Sequence, residues 1–242
     1  MRVSFCLVFL FIFTASYSYE QVDSSKTKLN ACATVSLNSN GIASIPAFSL
    51  GKPAIIASVT LQKNRFSYDP QLAYGLNFKG WFIDSWLHYI LINKPHFVFR
   101  PGFNFSTFFS DYKGQDETIR QAQRYFTFEL TGIYKFSPNN SLTLSYWNDR
   151  GQEKGTLIGH FFNLIYERSD MKIGKNVLLT TDLQIFYIDY KGNNDGLFLS
   201  PKISASLRNF PFTVFFQPIE ALYSNISPFP GFRWNLGMSY TL

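Results

Sequence analysis

The last twelve residues constrain the fold most. Read at every second position, they are Leu242, Tyr240, Met238, Leu236, Trp234 and Phe232, and between them stand Thr241, Ser239, Gly237, Asn235, Arg233 and Gly231. One face is wholly apolar and the other is polar or small. A period of two is a β-strand, and about 10 residues are what a tilted strand needs to cross a bilayer. A strand in lipid leaves no backbone group unpaired only if the sheet closes on itself. The segment therefore predicts a barrel wall with its apolar face outward.

The alternation recurs along the chain. Leu72, Tyr74, Leu76 and Phe78 oppose Gln71, Ala73, Gly75 and Asn77. Phe126, Phe128, Leu130, Tyr134 and Phe136 oppose Thr127, Glu129, Thr131 and Lys135. The pattern predicts strands at 41–48, 53–62, 69–78, 81–91, 96–108, 123–136, 141–149, 156–168, 176–190, 196–208, 211–219 and 231–242, with turn chemistry between them. The phase of 156–168 is mixed. The fold class is all-β, a closed antiparallel up-and-down transmembrane β-barrel of about twelve strands, with ten or fourteen also admitted by the pattern. Pro70, Pro101, Pro201 and Pro218 fall within or at the start of these strands, and each removes a ladder donor, so they predict bulges or bends.

Composition agrees. With 27 Phe, 14 Tyr and 4 Trp, aromatic residues make up 19% of the chain, more than a soluble domain of this size can usefully bury. The mean hydropathy of −0.04 is that of a water-soluble protein, as expected when apolar residues alternate with polar ones. A lipocalin-like soluble barrel also alternates. Twelve strands, many of ten or more residues against a usual length of about 5–6, favour the lipid-facing alternative.

Residues 1–18 read as a signal peptide: Arg2 is the positive start, Phe5 to Phe13 the apolar core, and Ser16-Tyr17-Ser18 the cleavage site. The apolar run is shorter than the roughly 20 residues of a membrane anchor. Removing Arg2 from 22 basic residues leaves 21, and against 16 acidic ones the charge is +5. These charges form no stripe, which argues against nucleic acid as a partner. Cys32 is the one cysteine left, so no internal disulfide forms. Residues 19–40 read as a periplasmic lead-in and 41–242 as the barrel.

With an even strand number and the C-terminus in the periplasm, connections alternate between membrane faces. The turns at 93–95, 137–140 and 209–210 fall inside, while the longer segments 109–122, 149–155, 190–195 and 220–230 fall outside, as barrels require. Lys79-Gly80, tight but outside, and 168–175, long but inside, break the rule. Trp147, Asp149, Arg150, Lys154 and Tyr223 lie near the outer loops, where they suit either a solvated rim or an extracellular partner.

If the apolar faces meet lipid, the charged lumen-facing set is Asp84, His88, Arg100, Glu129, Asp182, Lys202 and Arg233. Arg100 with Glu129, and Asp182 with Lys202, lie diagonally on neighbouring strands and can pair. Such pairs either plug the barrel or line a path for small polar solutes. Nucleophilic catalysis would need a serine within reach of one of the three histidines, and residues two after them are Ile90, Val98 and Phe162. No catalytic residue, metal ligand set or cofactor is therefore assigned. A lipid-modifying outer-membrane enzyme is the alternative reading, and His88 or His160 would be its base.

The final octet resembles the C-terminal assembly signal of bacterial outer-membrane β-barrels, with Asn235, Gly237, Tyr240 and Leu242 in the polar, glycine, aromatic and terminal apolar places. The layout is similar to that of small Gram-negative outer-membrane barrels, and residues 45–53 and 227–232 look like segments of uncharacterised Bacteroidota-type barrels. The resemblance implies export to the outer membrane, contact with its lipid and folding by the barrel assembly machinery. It implies no substrate. Function is thus expected to be a narrow pore for small polar solutes or a plugged scaffold with partner-binding outer loops.

Overall fold

The alternating segments form antiparallel strands that pair in sequence order and close into a ring. The computed structural model describes residues 28–42, 49–113, 118–156, 158–190, 194–226 and 231–242. Its strands are β1 (Asn30–Asn38), β2 (Ala54–Lys63), β3 (Phe66–Gly75), β4 (Gly80–Tyr89), β5 (Ile92–Lys94), β6 (Phe97–Lys113), β7 (Thr118–Ser137), β8 (Asn140–Gly151), β9 (Ile158–Ile173), β10 (Val177–Tyr190), β11 (Asn194–Leu207), β12 (Phe212–Ser224) and β13 (Arg233–Thr241). Each wall strand pairs with its neighbours, β1 pairs with β13, and β4 pairs directly with β6. The three-residue β5 only braces the base of β6 beneath β4. The wall is therefore a closed barrel of twelve strands, as the alternation predicts.

The first wall strand is not where the pattern put it. Asn30–Asn38 lies inside the stretch expected to be a lead-in, and it zips to β2 over its full length from Asn30↔Gln62 to Asn38↔Ala54. Its outward face is carried by Val35 and Leu37 alone, with Ala33 and Ala31 below, too weak an alternation to read. Gly41 and Ile42, at the start of the expected 41–48 strand, are in no strand, and 43–48 lie outside the described residues. So do residues 1–18, and 45–48 and 227–230 of the two Bacteroidota-like segments.

Two loop expectations also change. Segment 109–122 is largely β-hairpin: β6 and β7 reach 17 and 20 residues and stay in register from Phe109↔Ala122 to Lys113↔Thr118. Strand β9 runs on to Ile173, so the inner turn shrinks to 174–176, and the extra residue becomes a bulge in β9 between Arg168 and Met171, opposite Leu179 and Thr181. That removes one exception to the inside-short rule.

The prolines do not sit at the register shifts, which fall at Ala73/Tyr74, Lys135/Ser137, Leu179/Thr181 and Leu197/Phe198. Pro70 and Pro101 pair in register with Ser85 and Leu130. Pro201 and Pro218 do something else. They stand opposite each other, and the β11–β12 ladder is interrupted between Leu199↔Glu220 and Ile203↔Phe216, because neither proline offers an N–H.

The outer face is apolar at mid-height, with Leu130, Leu144, Ile203 and Leu236 each about half exposed. Rings gather at both ends of this band: Phe66 on Tyr89, Tyr134 on Phe136 and Phe212 on Tyr240 at the turn end, and Tyr146 on Phe162 at the loop end. Such a surface is at rest only in lipid. Replacing Leu144, 58% exposed, by Arg should cost about 2–4 kcal/mol of barrel stability in a bilayer. Equilibrium unfolding from liposomes measures this, and an unchanged stability would mean that this face is not in hydrocarbon.

Outside the wall, Glu153 accepts from the Arg124 backbone N–H at 2.7 Å and from its Nε at 2.6 Å. The backbone donor first, and then the guanidinium, hold the Glu153 carboxyl below its ordinary value. Because the folded value is lowered, the tie is complete above the ordinary glutamate range and is lost as pH falls through the lowered value. The Arg124 amide resonance should titrate with a midpoint below that of a free glutamate; a midpoint at or above it would contradict the geometry.

Candidate functional site: the lumen

The lumen divides into a filled half and a hollow half. In the filled half, His88 on β4, Gly102 on β6 and Glu129 on β7 form one row across three strands. The glycine in the middle is what lets the outer two meet: a Cβ there would lie 2.6 Å from His88 Cδ2 and 3.2 Å from Glu129 Cβ. His88 Nε2 sits 3.5 Å from Glu129 Oε2, and its Nδ1 sits 2.8 Å from Asp69 Oδ2. Two carboxylates thus face the two ring nitrogens, an arrangement that the imidazolium, a donor at both, satisfies. Ser67 donates to Asp69 at 2.8 Å and Thr131 donates to Glu129 at 2.5 Å, with Arg100 Nε 3.8 Å from Glu129. The ring of Trp86 on β4 meets that of Trp147 on β8 at 5.2 Å, reaching over β6 and β7.

The hollow half is a cavity of about 440 Å³ bounded by β1 to β4 and β9 to β13. Most of its lining residues bear a hydroxyl or an amide, with Glu167, Asp182 and Lys202 as its charges, and Ile42, Ile56, Phe82 and Phe215 are among those that add apolar surface. Gln184 donates to Asn163 at 2.9 Å and Gln217 donates to Ser200 at 2.9 Å, which fixes both amides. Towards the loop end the lining turns aromatic. Phe161, Phe186, Ile188, Tyr190 and Phe198 form one buried cluster, and Trp81 and Phe82 with Ala54 and Ala73 form another. The described ends of the β1–β2 connection, 39–42 and 49–53, lie at this mouth. Ile42 is buried and lines the cavity, Leu50 packs on the second cluster, and Asn40 is tied to Asn235 and to the Trp234 carbonyl.

The expected lumen-facing residues are thus distributed unequally. His88, Arg100 and Glu129 meet in one network, with Asp84 buried in the same half. Asp182 and Lys202 are not diagonal but directly in register, and both face the cavity. Arg233 lies at the loop-end rim, 4.0 Å from where a Gly51 Cβ would be, away from the others. Trp147 and Asp149 prove to be lumenal, since Trp147 meets Trp86 and Asp149 accepts from the inward Thr127 at 2.7 Å. Sequence reasoning missed Asp69, Glu167 and Gly102. Asp69 and Glu167 are in the inward phase of their strands, but Glu167 sits on the strand whose phase was ambiguous.

The histidines are wired in ways that do not suit nucleophilic catalysis. Ser67 and Asp69 both approach the same nitrogen of His88, at 3.5 and 2.8 Å, whereas a triad needs serine and carboxylate on opposite nitrogens. His160 points away from the lumen, with the Tyr146 hydroxyl 2.8 Å from its Nδ1. His96 is exposed at the turn end, where its Nδ1 is 3.1 Å from the Lys135 carbonyl.

The C-terminal residues have structural work of their own. Asn235 is buried at the β1–β13 seam, where its Nδ2 donates to Asn38 at 2.9 Å. Gly237 leaves room for the Phe215 ring, which a Cβ would meet at 2.2 Å. Tyr240 packs on Phe212 at 4.8 Å, and Leu242 is exposed at the end of the wall.

Gly102→Ala should break the His88–Glu129 approach and cost about 1–3 kcal/mol, while Gly132→Ala on the outer face, whose Cβ would lie 3.6 Å from Phe97, should cost little. Denaturant midpoints of the two variants compare them; equal losses would show that the row through Gly102 is not tightly packed.

No family model matches the sequence, and no curated protein does. Solved structures do match in fold. The KdgM porin aligns with a TM-score of 0.58 at 11% identity, covering 86% of this chain and 98% of that one. The same porin in complex with disordered oligogalacturonate gives 0.56 at 10%, covering 87% and 97%. The COG4313 outer membrane channel from Pseudomonas putida F1 gives 0.53 at 9%, covering 92% and 99%. The closed twelve-strand ring, its lipid-facing wall and these likenesses together make the chain a β-barrel of the cell outer membrane.

Proposed function

We propose that the barrel is a narrow channel for small polar solutes, and the observation that carries this is the polar-walled cavity of about 440 Å³ on one side of the lumen. A barrel meant only as a scaffold could be packed throughout, as the half around His88 and Trp86 is. Here hydroxyl and amide groups instead keep a wettable space open along eight or more wall strands. The cavity wall carries Glu167 and Asp182 against Lys202, and the packed half beside it carries Asp69, Asp84, Glu129 and Asp149 against Arg100 and the His88 imidazolium. That excess favours cations. It also argues against acidic oligosaccharides such as the oligogalacturonate held by one of the structural neighbours.

Ile42 in the cavity lining and Leu50 on the loop-end cluster support the second reading, a plugged scaffold whose outer face binds a partner. Export through residues 1–18, and recognition of Asn235, Gly237, Tyr240 and Leu242 by the barrel assembly machinery, belong to the same proposal. Conductance of the purified barrel in a planar bilayer decides between the two. A channel gives small, reproducible steps with a cation-selective reversal potential in a salt gradient. Selectivity should weaken in Glu167→Gln and strengthen in Lys202→Glu. A folded, inserted and silent barrel would overturn the channel.

A further inference from the structure

One transverse row in the cavity wall carries both signs of charge. Glu167 on β9 is in register with Asp182 on β10, and Asp182 is in register with Lys202 on β11. All three line the cavity. Directly opposed side chains have Cβ atoms about 4.5–5.5 Å apart, so a lysine beside an aspartate would ordinarily close onto it. Here it does not. No ion pair within 4.0 Å joins Lys202 to either carboxylate among the described residues. The Lys202 ammonium instead stands 5.0 Å over the centre of the Phe215 ring. That ring is seated over Gly237, the one inward position of β13 where a Cβ would strike it at 2.2 Å. Asp182 Oδ1, for its part, is shielded from solvent and has no hydrogen-bond partner.

Lys202 thus acts on both carboxyls through space without touching either, and Glu167 and Asp182 hydrogen-bond each other, which leaves Asp182 Oδ1 and the Lys202 ammonium with unused hydrogen-bonding capacity. A neutral polyol would leave both uncompensated, and a simple cation would compensate only the acidic end. We infer that the cavity binds a small zwitterion of amino-acid type, its ammonium group at Asp182 and Glu167 and its carboxylate at Lys202. Gln184, Gln217 and Ser200 offer hydrogen bonds beside this row, and Phe215 offers an apolar surface to the carbon skeleton. This rests on the small-solute reading above and names the solute class.

Binding can be measured without conductance, which separates the two claims. The detergent-solubilised barrel is dialysed to equilibrium against radiolabelled L-serine, ethanolamine and glycerol. L-serine should be retained about tenfold more tightly than the other two. Asp182→Asn and Lys202→Gln should each lose about that factor for L-serine. Gly237→Ala, which displaces Phe215 without touching a charge, should weaken it as well. Folding of every variant is checked by the gel shift between unheated and heated samples. Equal retention of glycerol, equal retention of ethanolamine, or no retention of L-serine by a folded barrel would each overturn the assignment. A barrel that conducts but retains no L-serine removes the site and leaves the channel. One that retains it and never conducts removes the channel reading.

Discussion

Closure of the hydrogen-bonded ring is the constraint from which the rest follows. In hydrocarbon an unpaired strand edge has no water to turn to, so the first and last strands must find each other. The β1–β13 seam is short, pairing only Thr34–Asn38 with Gly237–Thr241. It is reinforced where the ladder ends. Asn235 bonds Asn38 side chain to side chain, the Ser39 hydroxyl and the Asn40 backbone N–H both donate to Asn235 Oδ1, and the Leu242 backbone N–H donates to the Ala33 carbonyl. Once the ring is closed, alternation is obligatory. Every apolar face must look outward, and every polar one is committed to an interior that has to satisfy it.

The interior meets that demand in two ways, and the difference comes from two small local choices. Around Gly102, the absence of one side chain lets His88 and Glu129 reach across β6, so four charged groups neutralise one another and Trp86 and Trp147 close over them. A buried charge left without its partner would cost several kcal/mol, on the order of 3–5, which makes that half rigid. Around Pro201 and Pro218 the wall itself is unzipped for a few residues. The polar groups facing inward there bond to each other in short pairs and leave the centre empty. Filled and hollow halves are thus distinct local answers to one demand, that inward polar groups find partners, and the demand is left unmet at Asp84 Oδ1 in the filled half and Asp182 Oδ1 in the hollow one.

Much of this was legible in the chain because strand period and membrane span are both local properties. The even count, the outward apolar set and the inward placement of Asp84, His88, Arg100, Glu129, Asp182 and Lys202 follow from period two alone. The failures have equally local causes. Strand β1 is built from Ala31, Cys32, Ala33 and Thr34 with little contrast between its faces, so it carried no period to read; pairing with β2 and β13 makes it a strand. The β6–β7 hairpin continues past the membrane, where alternation is no longer enforced by lipid and the sequence looks like a loop. What no local pattern can supply is which inward residues meet across the ring. Trp147 was placed near the outer loops because its contact, Trp86, is three strands away.

The terminal motif shows how one residue can answer two constraints. Gly237 fills the glycine place of the proposed assembly signal, whose recognition would occur before folding, when only the linear order of residues exists. In the folded barrel the same glycine is the seat of the Phe215 ring, and that ring carries the Lys202 ammonium away from Asp182. Any side chain at 237 would push the ring toward the cavity and return the lysine to its in-register neighbour. An ordinary ion pair would then replace two separated charges. The residue that makes the last strand recognisable is, on this geometry, also the one that keeps the cavity's charges available to a ligand.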